Sequence, residues 1–302
     1  MSLNRRDFLK YGALASAASF MPIDLVSSSQ NTNLCILHTN DTHSRIDPFP
    51  ATDSKYPNMG GVLGRMAMIE LMRKSEQNLL LFDAGDIFQG TPYFNYFKGE
   101  IEIKLMSEMK YDAATMGNHD FDAGLDGFEK QLKHARFPFI TSNYLFKNTI
   151  LEGRTVENEI FKKGQWKVGV FGLGIELDGL VQKIQFKETE YLDPVEVAQE
   201  QIKQLKRKGC NLIVCLSHLG YKYKNAKISD LLLAEKCPEI NIIIGGHTHS
   251  FLENGHLIRH LDGKETLVVQ TGWGGINLGK IIVEKKDNHI GFRSCESKEI
   301  RV

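Results

Sequence analysis

Imidazoles and carboxylates recur in this 302-residue sequence in short stretches: Asn40-Asp41-Thr42-His43, Gly85-Asp86-Ile87-Phe88-Gln89-Gly90, Gly117-Asn118-His119-Asp120-Phe121-Asp122, Ser217-His218-Leu219-Gly220 and Gly245-Gly246-His247-Thr248-His249. Taken singly, each reads as a turn, because Asp and Asn bond to nearby backbone and glycine supplies positive φ. Taken together they read differently. Independent turn chemistry has no reason to place an imidazole in four of five such stretches and a carboxylate in three. Neutral imidazole is the commonest metal ligand, and carboxylates bind and bridge divalent ions.

The inventory has the size needed for two metals. A pair of divalent ions roughly 3.5 to 4 Å apart needs a bridging carboxylate, further nitrogen and oxygen ligands, and open positions for water and substrate. Asp86 is the expected bridge. Asp41, His43 and His249 can then complete one ion, while Asn118, His218 and His247 complete the other. Extended backbone would turn Thr248, between the last two histidines, away from the site.

The elements that must position these groups follow from periodicity. Strand-like runs fall at 34–39, 79–84, 113–116, 138–142, 167–172, 211–216 and 241–244, and helical patterns at 61–74, 101–110, 126–135, 193–208 and 228–237. Such alternation predicts parallel α/β sheet with helices on its faces. Five of the strands end directly before the five stretches, where ligands collect in open α/β sheets. Residues 161–170 predict a hairpin around Lys163-Gly164, and strands at 267–270 and 280–284 are expected in antiparallel pairs. A single domain from residue 31 to 302 is the simplest organisation.

Composition narrows the partners. The 37 basic residues balance 37 acidic ones, so no overall field favours nucleic acid. The basic cluster Lys203, Lys206, Arg207 and Lys208 sits at a predicted helix end, where cations suit the dipole. Five cysteines without a CxxC pair indicate neither a disulfide framework nor a cysteine zinc site. Residues 4–10, Asn-Arg-Arg-Asp-Phe-Leu-Lys, resemble a twin-arginine export signature ahead of an Ala- and Ser-rich stretch. Residues 1–30 are therefore expected to be a signal segment too polar for a stable membrane span, and the chain to be periplasmic or extracellular.

LHTNDTH, GDIFQG, GNHDFD, SHLG and GGHTH resemble, in order and spacing, the motifs of the calcineurin-like metallophosphoesterases, and specifically the 5′-nucleotidase family. The resemblance implies a four-layer αββα fold. It also implies Asp41, His43, Asp86 and His249 at one ion, and Asp86, Asn118, His218 and His247 at the other. By the same resemblance His119 acts on the phosphate and Asp122 orients it. The implied reaction is hydrolysis of phosphate monoesters, 5′-nucleotides foremost, by a hydroxide bridging the metals. Mixed Asp, Asn and His ligands suit zinc, manganese or iron. Many members of this family carry a C-terminal domain that holds the nucleoside. The chain stops at Val302, so a separate partner chain supplying that domain is one expectation. A minimal enzyme of broad tolerance is another. A cyclic-nucleotide phosphodiesterase, a thiosulfohydrolase-like relative and a non-catalytic metal-binding scaffold are the alternative functions.

Overall fold

A computed structural model describes residues 32–286 and 289–301. The expected signal segment, residues 1–30, lies outside the described residues. No helix among them is long and apolar enough to cross a membrane.

Two sheets form the centre. The first has strand order β13-β12-β1-β2-β3, with β1 at Leu34–Thr39, β2 at Leu79–Asp83, β3 at Ala113–Ala114, β12 at Asn277–Lys286 and β13 at His289–Glu299. The second has order β10-β11-β9-β8-β6-β5, with β5 at Asn158–Lys163, β6 at Trp166–Leu173, β8 at Leu212–Ser217, β9 at Ile242–Gly245, β10 at His256–Arg259 and β11 at Glu265–Val269. A small ribbon pairs β4, Tyr144–Leu145, with β7, Glu190–Tyr191.

The apolar runs of β1, β2, β8 and β9 are continuous because these strands are covered on both faces. Leu34, Ile36, Leu80 and Phe82 of the first sheet meet Val168, Val214, Ile242 and Ile244 of the second in one buried cluster. The alternate residues face outward. Leu37 and Leu81 pack under α1, Val62–Ser75, α3, Glu100–Glu108, and α4, Gly124–Leu132. Ile213 and Ile243 pack under α6, Pro194–Arg207, and α7, Asp230–Lys236. Helix, sheet, sheet, helix is the four-layer order that the motifs imply. The described residues also form two short helices, α2 at Pro92–Phe97 and α5 at Lys183–Phe186, and a 3-10 turn at His119–Phe121.

The local grammar explains the boundaries. Asp193 accepts the N–H groups of Val195 (2.9 Å) and Glu196 (3.0 Å), and Pro194 fixes the first turn, so α6 starts there. Gly164, at φ 55°, closes the β5–β6 hairpin expected from the sequence. Three expectations change. Residues 138–142 form no regular strand, only isolated bridges of Phe139 to Ala114 and Ile140 to Val156. Pro138 has no N–H to give, and the backbone bonds of the run are divided among three partners, Ala114, Val156 and Gly172, with the Ser142 hydroxyl adding bonds to Glu157 O and Gly172 N. The strand at 113–116 shortens to Ala113–Ala114, although Thr115 N still bonds to Asp83 O at 3.1 Å. Finally, β11 is antiparallel only to β10; it runs parallel to β9.

Candidate active site

The exits of β1, β2, β3, β8 and β9 meet at one end of the sandwich, and backbone hydrogen bonds lock them together. Asp41 N bonds to Gly85 O at 2.9 Å, His43 N to Asp86 O at 3.0 Å and Ser44 N to Ile87 O at 2.8 Å, so the loops after β1 and β2 run side by side. The buried carboxylate of Asp120 accepts N–H groups from Asp86, Ile87, Phe88 and Gly117 at 2.8–3.1 Å, which fastens the loop after β3 to the loop after β2. The second sheet is joined to the first by His218, whose Nδ1 lies 2.7 Å from Ala84 O. A carbonyl can only accept, so the proton sits on Nδ1 and Nε2 is left to face the site.

Two groups of side chains result: Asp41, His43 and His249 in one, and Asp86, His218 and His247 in the other, each with donor atoms within 4.8 Å of one another. In the first, His43 Nε2 lies 3.0 Å from His249 Nε2, and His249 Nε2 lies 3.4 Å from Asp41 Oδ1. In the second, His218 Nε2 lies 3.1 Å from Asp86 Oδ2. Asn118 Oδ1 stands 2.8 Å from His247 Nδ1, beside the second group. The groups adjoin, because Asp86 Oδ2 is also 3.9 Å from His43 Nε2 and Asp41 Oδ1 is 3.9 Å from His218 Nε2.

These positions are held in unusual backbone. Asp41, His43, Asp86, His247 and His249 all have φ between 46° and 71°, the left-handed region that non-glycine residues rarely occupy. Such strain clusters at functional sites and persists only where surroundings over-determine it. It also corrects the expectation for Thr248. Its hydroxyl does point away, to Tyr221 N at 3.0 Å and Ser250 Oγ at 3.0 Å. The cause is not extended alternation: His247 and His249 are both left-handed. Glycine permits the crowding. A Cβ on Gly246 would stand 2.7 Å from His218 Nδ1 and 3.1 Å from Asp41 Oδ2, and one on Gly117 would stand 2.6 Å from His218 Cε1.

His119 lies outside both groups. Its Nδ1 is 2.8 Å from Asp122 Oδ2, and this hydrogen bond raises the imidazole above its ordinary value against the opposing effect of burial. Its backbone N–H bonds to Asp86 Oδ1 at 2.8 Å. Together with His43, Arg45, Gln89, Gly90, His249, Trp273 and Gly274, His119 lines a cleft of about 200 Å³.

Residues 271–275 escape sequence reasoning, and Asn40 of the first stretch ties them to the site. Trp273 stacks on His249, with centroids 5.7 Å apart and planes 11° from parallel. Asn40 donates to Asp41 Oδ2 at 2.6 Å and to Gly272 O at 2.8 Å, while its own Oδ1 accepts from Thr271 N and Oγ1. Residues 271–275 follow β11, so the same strand-exit rule that picks out the histidines, applied to Thr-Gly-Trp-Gly-Gly, is the signal that finds them.

The donor set suits divalent cations. His218 Nε2 is fully buried and makes no hydrogen bond. An orphaned ring nitrogen of that kind is costly unless a cation takes its lone pair. Burial holds His43 below its ordinary value and His247 down to about 4, so both imidazoles are neutral and able to ligate. For His218 burial also acts downward, but the charge of Asp86, its contact with Nε2 and the charge of Asp41 outweigh it and carry the group up to about 10, so in the metal-free chain Nε2 holds a proton where a cation would otherwise sit. Two buried carboxylates thus attract positive charge to this place.

Residues 35–251 match the family model for calcineurin-like phosphoesterases. The snake venom 5′-nucleotidase of Crotalus adamanteus is 33% identical over 279 residues, covering 85% of this chain and 46% of its own length. The 5′-nucleotidase of Homo sapiens is 31% identical, with 83% and 46% covered. The crystal structure of a 5′-nucleotidase precursor from Thermus thermophilus superposes with a TM-score of 0.79 at 31% identity, over 89% of this chain and 55% of that one. The chain spans about half the length of the curated relatives it matches. With the motifs on the strand exits and the match running from β1 past β9, the chain belongs to the calcineurin-like phosphoesterase family.

Proposed function

We propose that this chain hydrolyses phosphate monoesters, 5′-nucleotides foremost, at a site where Asp41, His43, Asp86 and His249 hold one divalent ion and Asp86, Asn118, His218 and His247 hold a second. The observation that carries the reading is the position of one carboxylate oxygen, Asp86 Oδ2, 3.1 Å from an imidazole of one group and 3.9 Å from an imidazole of the other. Two bound ions would neutralise phosphoryl charge and make an activated water available at neutral pH.

The chain's own residues supply the rest. His119 borders the cleft and is held through Nδ1 by Asp122, which leaves Nε2 as the atom to donate to a phosphoryl oxygen or to the leaving oxygen. Asn40 restrains Asp41, and Asp120 restrains the loop carrying Asp86, so the donors are set before substrate arrives. The names of the relatives support a nucleotide as substrate. The residues 4–10 motif supports export, and retention in the cytoplasm of cells lacking twin-arginine translocase is the expected outcome.

The deciding experiment compares hydrolysis of AMP, a 2′,3′-cyclic nucleotide and an aryl phosphate by metal-reconstituted protein and by His119→Ala. AMP turnover above the other two, lost in the variant, is expected. Preference for the cyclic diester overturns the monoesterase reading.

A further inference from the structure

Among the described residues lining the cleft, Arg45 is the one permanent cation, and it has no hydrogen-bond or ion-pair partner there. Arg45 follows the His43 loop and is half-buried. Its Nε is shielded from solvent without a hydrogen bond, and no ion pair joins it among the described residues. Two carboxylates lie near enough to act on it, and both are engaged elsewhere: Asp47 accepts from the Tyr93 hydroxyl at 2.7 Å, and Asp53 accepts the N–H groups of Lys55 and Tyr56. What holds Arg45 is an aromatic ring. Its guanidinium carbon sits 4.1 Å from the centroid of Phe49, and Phe49 packs edge-on against Trp273, the residue stacked on His249. A cation–π seat fixes the guanidinium without consuming its N–H donors.

An unpaired, partly desolvated guanidinium in the cleft that His119 also lines is arranged for an anion. The cleft, at about 200 Å³, is smaller than the ~300–1,000 Å³ usual for whole small-molecule sites. It fits a phosphoryl group and the first part of its ester, with the remainder of the substrate projecting outward.

We propose that Arg45 is the specificity-determining residue that selects phosphate monoesters over diesters, by pairing with the phosphoryl oxygen that a diester has lost to its second ester bond. A monoester carries up to two negative charges near neutral pH, since its second ionisation falls near pH 6, whereas a diester carries one. The inference rests on the hydrolase reading above and deepens it. Phe49 is the positioning residue for the guanidinium.

The test uses the metal-loaded chain and its Arg45→Gln and Arg45→Lys variants, with metal content and thermal midpoint checked for each. Hydrolysis of an aryl phosphate monoester and a bis-aryl phosphate diester is measured, and inorganic phosphate binding is titrated by calorimetry. Losing a charge-assisted hydrogen bond corresponds to roughly ten- to hundredfold. Arg45→Gln is expected to lower kcat/KM for the monoester by that factor and to weaken phosphate binding similarly, with the diester changed less than about threefold and Lys restoring part of the loss. Equal losses on both esters, or an unchanged monoester rate, overturn the proposal. If the wild-type chain hydrolyses neither ester, the hydrolase reading falls by itself. Phosphate calorimetry then decides Arg45: a tenfold weaker Kd in Arg45→Gln supports the anion site, and an unchanged Kd overturns it.

Discussion

Nε2 of His218 lies 3.1 Å from Oδ2 of Asp86, both side chains sealed from solvent, and the two make no aligned hydrogen bond. The arrangement gives a cation more than it gives the bare protein. A divalent ion that binds only the folded chain stabilises it by about 2.7 kcal/mol at a hundredfold excess over Kd. Adding zinc, manganese or iron(II) to chelator-treated protein is therefore expected to raise the thermal midpoint, and Asp86→Ala to abolish the rise. An unchanged midpoint in wild-type protein with all three ions rejects the metal site.

His119 and Asp122 are expected to separate chemistry from metal binding. His119→Ala should lower kcat by about 10²–10⁴, the usual worth of a positioned acid or base. Asp122→Asn should cost less, roughly tenfold, because the imidazole keeps a neutral partner in place of a charged one. Both variants should retain full metal content by elemental analysis. Loss of metal from either assigns that residue to ligation instead.

Gly246→Ala tests the closeness of the two sheets at the site. Its Cβ would press on His218 Nδ1 and Ala84 O, the hydrogen bond that joins them. Overpacking of this kind costs about 1–3 kcal/mol. Urea denaturation should show that loss, and metal titration should show weaker binding. Wild-type values in both place more room there than the structure has.

Burial pushes the carboxyls of Asp83 and Asp230 up to about 7. Each stays protonated in the folded chain at pH values where the unfolded chain, near its ordinary 3.8, has released its proton. Their contribution is therefore fully favourable below about pH 4 and is lost as pH rises towards 7, at up to about 1.4 kcal/mol per pH unit for each group. In Asp83→Asn the amide can donate to Thr39 Oγ1, which Asp83 now accepts from at 2.6 Å, and nothing titrates. Urea denaturation of metal-free protein from pH 4 to 7 should give a shallower fall for that variant. Parallel slopes would show that Asp83 is ionised throughout.

The chemistry-bearing stretches are legible in the sequence because strand ends and side-chain types are local. β1, β2, β8 and β9 lie within a residue or two of their apolar runs, and Asp41, His43, Asp86, Asn118, His218, His247 and His249 follow strand exits directly. The strand at 138–142 misleads because its backbone bonds are divided among Ala114, Val156 and Gly172 and do not follow one neighbouring strand, a tertiary choice. Trp273 is marked only by its place after β11, and Arg45 not at all, because their meaning lies in what they touch, His249 and Phe49.

By itself, then, the sequence determined which residue types stand at the ends of which strands, since alternation and apolar runs are read over a few residues. The tertiary structure decided the distances. Asp41 and His249 are separated by more than two hundred positions in sequence, and only the packing of one sheet on the other brings Asp41 Oδ1 to 3.4 Å from His249 Nε2. Left-handed backbone at five of the candidate ligands completes that approach. Asp and His enter that region more readily than most residue types, but it is the packed surroundings that impose it at these five positions.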